Sequence, residues 1–199
     1  MTDLFNHVVT EKDVPATDVL TPDVRVLFAD ESKDTIATFK HITNRLDWKG
    51  TYVSSATELI EAVNGLLASH TTLDAIVADI NYFTGPRLTG ITAAREVRKA
   101  MPNVPIVFIS AYVTSIIKEE VRRVKAEIYQ KPYDPQQLLM RLAQMIYSNR
   151  LATANSYTGE NRRRNSVNRT INARRVTDTI ISVPERIIQT LSEVHYERR

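Results

Sequence analysis

The chain has 199 residues, 43% of them hydrophobic and 25% charged, which suits one well-packed domain with additional segments. It contains no cysteine, which excludes a disulfide framework and thiolate metal sites, and no stretch approaches the roughly 18 apolar residues of a membrane span. The formal net charge of +3 is unevenly spread: residues 150–199 hold ten Arg, no Lys and five acidic residues, so this segment is +5 and the remainder −2. The opening residues, Met1 to His7, have neither the basic cluster nor the apolar core of a signal peptide, and the expectation is a cytoplasmic protein without membrane attachment.

Residues 1–22 are polar, contain Pro15 and Pro22, show no period, and read as an extended N-terminal arm. Residues 24–29 are a nearly continuous apolar run, as a strand buried on both faces requires. From Ser32 to Asp47, Ile36, Phe39, Ile42 and Leu46 recur at helical spacing. Residues 51–54 fit a short strand. Ser55-Ala56-Thr57-Glu58 has the capping-box pattern and precedes Leu59, Val63, Leu66 and Leu67 on one helical face. Residues 73–78 supply a third strand, and 81–90 a loop containing Gly85-Pro86. Residues 91–100 fit a helix stopped by Met101-Pro102. A fourth strand over 106–109, a charged helix over 115–125, a fifth strand over 127–130 and a last helix over 135–147 complete the series. Strands alternating with helices at this spacing predict βαβ units and a parallel sheet covered on both faces. Ligands of such sheets bind at the carboxyl ends of the strands.

The chemically active residues fall at those ends. Asp30 and Glu31 follow the first strand, Asp79 the third, Ser110 the fourth, and Lys131, before Pro132, the fifth. Three carboxylates near one point repel each other, and a divalent cation removes that cost. Oxygen ligands alone favour magnesium (Mg2+), which takes one or two carboxylates and keeps several waters. A carboxylate is also a nucleophile toward phosphorus. Phosphoryl transfer needs mostly positioning and charge neutralisation, which the metal ion, Lys131 and the Ser110 hydroxyl are able to supply.

Residues 23–148 resemble the receiver domain of bacterial two-component response regulators (CheY-like). The resemblance rests on Leu27-Phe28-Ala29-Asp30-Glu31, Ile76-Val77-Ala78-Asp79-Ile80-Asn81, Val107-Phe108-Ile109-Ser110-Ala111 and Gln130-Lys131-Pro132-Tyr133. It implies an α/β, flavodoxin-like, doubly wound five-stranded parallel sheet of order 2-1-3-4-5. It implies Asp79 as phosphoacceptor, and magnesium held by Asp30, Glu31, Asp79 and the main-chain carbonyl of Asn81. Ser110 and Lys131 would bind the phosphoryl oxygens. It also implies a sensor histidine kinase or phosphotransfer protein as donor, and a switch rather than an enzyme. An aspartyl-phosphate hydrolase would need a second aspartate two residues after the nucleophile, where Asn81 stands. Three departures concern the readout. The glycine expected about eight residues after the phosphoacceptor is Gly90, eleven residues on. The usual switch aromatic, three residues before the lysine, is Ile128, with Tyr129 expected on the opposite face. Val124-Lys125-Ala126 replaces a small Gly-Ala pair.

Residues 149–179 read as an Arg-rich linker, with six Arg between positions 162 and 175. Residues 180–199 hold an amphipathic helix started by Ser182-Val183-Pro184 and striped by Ile187, Ile188, Leu191 and Val194. It is read as the start of an output or oligomerisation element, in a chain that is complete or a fragment. Three alternatives stay open: a homodimer, DNA bound through the basic tail, and a receiver-like interaction module that is never phosphorylated. His7, His41, His70 and His195 lack ligand spacing and receive no role.

Overall fold

The computed structural model describes residues 23–80 and 89–164, the last eleven by backbone alone. The expected N-terminal arm, Asn81 and the chain beyond residue 164 lie outside the described residues. The elements are β1 (Arg25–Ala29), α1 (Lys33–Arg45), β2 (Lys49–Val53), α2 (Ala56–Ala68), β3 (Ala75–Asp79), α3 (Gly90–Ala100), β4 (Ile106–Ser110), α4 (Ser115–Arg123), β5 (Glu127–Gln130) and α5 (Pro135–Arg164). All four strand pairings are parallel, in the order β2-β1-β3-β4-β5. The alternating pattern predicts the parallel sheet, and the order is the flavodoxin-like one that the resemblance implies.

The sheet separates two cores because side chains alternate along each strand. Val26, Phe28, Val77, Val107 and Ile109 face one side, where α1 and α5 bring Phe39, Ile42, Leu138, Leu142 and Ile146. Leu27, Ala29, Ile76, Ala78, Ile106 and Phe108 face the other, against Leu59, Val63, Ile91, Val97 and Val121 of α2, α3 and α4. Two-sided burial is why β1, β3 and β4 read as unbroken apolar runs. Phe28 stacks on Phe39 with centroids 4.6 Å apart and on Tyr52 at 5.4 Å.

Side chains cap the helix starts. Ser32, Ser55, Thr89 and Thr114 accept from the N–H groups of Thr35, Glu58, Thr92 and Ile117. Three helix ends share one device. Asp47, His70 and Lys125 sit at φ 54°, 51° and 52°. Each is followed by an N–H that reaches back five residues: Trp48 to Thr43 O, Thr71 to Leu66 O, Ala126 to Val121 O. This is the Schellman motif with a non-glycine residue in the left-handed position.

The last helix is longer than expected. Its apolar stripe ends at Tyr147, but the helix runs to Arg164, through the first part of the segment read as a linker. Arg150 explains its continuation past the sheet. Its Nε donates to Asp74 Oδ1 at 2.7 Å, and the other oxygen of this buried carboxylate accepts the Arg25 N–H at 2.9 Å. Among the described residues no helix is long and apolar enough to cross a membrane.

Candidate functional site

Backbone register brings the strand ends to one edge. Ala29 is level with Val53 and Ala78, Asp79 with Ile109, and Ser110 with Gln130. The Asp30 N–H continues the sheet to Val53 O, and the Lys131 N–H to Ser110 O at 2.8 Å. Asp30, Asp79, Ser110 and Lys131 therefore share this edge through main-chain hydrogen bonds.

Asp30 and Asp79 are buried, at 2% and 8% exposure, and the Ser110 residue is fully buried. Lys131 Nζ bridges the two carboxylates, 3.1 Å from Asp30 Oδ2 and 2.5 Å from Asp79 Oδ2. Burial alone would lower the lysine's pKa. The hydrogen bond and charge of Asp79, and then those of Asp30, outweigh it and hold the ammonium above its ordinary value. The Lys131–Pro132 peptide is cis.

Of the three carboxylates expected near one point, two meet. The other Asp30 oxygen, Oδ1, accepts the Ser32 N–H at 2.8 Å, a tight turn that leaves the intervening Glu31 exposed. Glu31 instead lines, with Asp30, Lys33, Lys40, Ser54 and Glu58, a cleft of about 440 Å³ on the β2 side. Among the described residues no group of three or more His, Asp or Glu is arranged to hold a metal ion. The pair Asp30 and Asp79 nonetheless fits a magnesium ion. They are buried oxygen donors already converging on one cation, and magnesium needs only one or two carboxylates.

The Ser110 hydroxyl donates to the Tyr112 carbonyl at 2.8 Å, and its oxygen lies 3.2 Å from the Tyr112 N–H. It thus holds the turn after β4 as well as standing at the site's rim. Tyr112 itself is 74% exposed. The aromatic question has a plain answer: Ile128 packs toward the α2–α4 core, and Tyr129 lies on the opposite face against the α1–α5 core.

Two residues near the site carried no assigned role in the sequence. Gly90 opens α3 directly behind Asp79, and a β-carbon there would lie 2.6 Å from the Asp79 carbonyl oxygen. Its N–H donates to Ile80 O, so the chain returns to β3 whatever the length of the loop between. Tyr133, two residues past Lys131, packs half-buried on the α1–α5 core. Burial, and then the charges of Asp30 and Asp79, push its phenol pKa well above the usual range. Its place in the Lys131-Pro132-Tyr133 run was the available signal.

The family model of the response regulator receiver domain matches residues 26–143. The chain belongs to this family. Receiver domains are the phosphorylation-dependent signalling modules of two-component systems. Solved structures agree on the fold. A response regulator receiver protein from Sinorhizobium medicae is 27% identical, with TM-score 0.54 over 64% of this chain and 98% of that one. The chemotaxis protein CheY4 of Vibrio cholerae is 22% identical, with TM-score 0.53 over 62% and 98%. The receiver domain of a sensor histidine kinase from Pseudomonas aeruginosa, solved with magnesium coordinated in its active-site cleft, is 20% identical, with TM-score 0.52 over 62% and 98%. Comparison with curated proteins gives no match.

Proposed function

We propose that Asp79 accepts a phosphoryl group from a phosphohistidine of a sensor kinase or phosphotransfer protein. The observation that carries this reading is the Lys131 ammonium bridging the two buried carboxylates at the carboxyl edge. In the transfer an Asp79 carboxylate oxygen forms the new P–O bond as the donor's P–N bond breaks. The departing imidazole keeps the electron pair and takes up a proton. Asp30 and Asp79 would hold magnesium, with the Asn81 carbonyl as a further ligand, and the exposed Glu31 would have to turn inward to join them. The ion supplies charge neutralisation on the phosphoryl oxygens. Lys131, tethered to both carboxylates, follows the charge onto the phosphoryl group. Ser110 would donate its hydroxyl there, exchanging its bond to the Tyr112 carbonyl for one to a phosphoryl oxygen. That exchange would release the turn after β4, and an added charge of about −1.5 to −2 would drive it.

Incubation with magnesium and acetyl phosphate should add one phosphoryl group by intact mass. The gain should vanish in Asp79→Asn and when magnesium is chelated. Absence of the gain with acetyl phosphate and with any phosphorylated donor kinase would sink this reading.

A further inference from the structure

A second cleft, of about 700 Å³, opens at the amino edge of the sheet and shares no residue with the phosphoryl site. It exists because α5 overruns the sheet. One wall is an α5 face carrying Arg141, Met145, Ser148 and Asn149, spaced three and four residues apart. The other is the loop from α3 into β4, with Pro102, Asn103 and Pro105, beside Lys125 of the α4–β5 turn.

Its charge is unbalanced. Arg98, Lys125 and Arg141 line it with Glu127 as the single acid among the lining residues, an excess of two cations. Glu127 is taken by Arg141, with Nε 3.0 Å from Oε2. Among the described residues the half-buried Arg98 guanidinium donates only to carbonyls: Val124 at 2.8 Å, Lys125 at 2.9 Å, Val104 at 2.5 Å, Pro102 at 3.3 Å and Met101 at 3.4 Å. Carbonyls satisfy its hydrogen bonds but not its charge. Lys125 is exposed and forms no ion pair among the described residues. A carboxylate ligand would offset one of the two surplus charges, whereas a phosphate monoester carries about −1.5 to −2. The volume far exceeds a phosphate ion and falls in the range of small-molecule sites, and Pro102, Pro105 and Met145 give an apolar surface for an organic body.

We propose that this cleft binds a small phosphate-bearing organic anion, its phosphate at Lys125 and its body against the proline loop and Met145. The test is an amide-resolved NMR titration of the full chain in phosphate-free buffer, with inorganic phosphate in one arm and adenosine 5′-monophosphate in the other. The expected result is saturable shifts at 102–105, 125–127 and 145–153, with the monophosphate at least tenfold tighter than inorganic phosphate. Lys125→Glu and Asn149→Asp, both outside the core, should each weaken the monophosphate at least tenfold. Asp79→Asn should leave it unchanged, so this site and the phosphoryl reading fail independently. No saturable shift would overturn the proposal. So would equal affinity for the two probes, shifts confined to the Asp79 edge or to residues past 153, or full binding in both charge variants.

Discussion

Replacing Lys131 by methionine would leave Asp30 and Asp79 facing each other in a buried site without their shared ammonium. Breaking a fully buried pair costs about 3–5 kcal/mol. The lysine side chain is 28% exposed, so water screens part of this and about 1–3 kcal/mol is expected in urea unfolding at pH 7. The folded-state pKa of Lys131 lies above its ordinary 10.5. Its contribution is therefore complete below about pH 10.5 and fades as pH rises through the raised value. Wild type and Lys131→Met should converge in stability there. Acetyl phosphate labelling of the variant should be about a hundredfold slower, the scale of removing one preorganised donor. Gly90→Ala tests the same site from behind. Its β-carbon meets the backbone of Asp79 and Ile80, which cannot rotate away, so about 1–3 kcal/mol of destabilisation is expected. Labelling of Asp79 should slow as well, because the residue forced to move is the one that reacts. The sequence made the strand-end positions of Asp30, Asp79, Ser110 and Lys131 legible. It did not reveal Glu31 turned outward, because that follows from the Asp30 side chain binding the Ser32 N–H.

At the scale of elements, β1, β3 and β4 were readable because both their faces are buried. Helix ends were harder. Asp47, His70 and Lys125 occupy a position that sequence reasoning identifies by glycine. A left-handed non-glycine residue costs roughly 1 kcal/mol. Accordingly His70→Gly, at an exposed turn, should stabilise the protein by about 0.5–1 kcal/mol, less the added chain entropy of glycine. A loss of stability in thermal unfolding would show that His70 has a partner the motif does not require. The end of α5 was illegible for another reason: the apolar stripe stops where the sheet stops, and Arg150 ties the helix back to Asp74 there. Seventy-six positions separate these two residues, and no local pattern links them.

For the whole molecule, two cores share one sheet and neither is complete without it. Phe28 fills one core and Phe108 the other, both fully buried. Truncating either to alanine should cost about 3–5 kcal/mol. Because each strand contributes to both cores, denaturant unfolding followed by a probe on either face should stay coincident. Separate transitions for the two faces would contradict a jointly held sheet.

The length of α5 has a mechanical meaning. Thirty residues of helix span about 45 Å, and some 21 Å of this lies beyond Arg150. Arg150 on Asp74 is then a pivot near the middle of the helix, with about 22 Å of core-packed turns on one side and the overhang on the other. A tilt of about 5° at that point would sweep the far end by about 2 Å, given 1.5 Å of rise per residue. The same tilt would move Leu138, about 18 Å to the other side of the pivot, by about 1.6 Å in the opposite sense, so Arg164 would report a repacking of the core-facing turns at nearly equal amplitude.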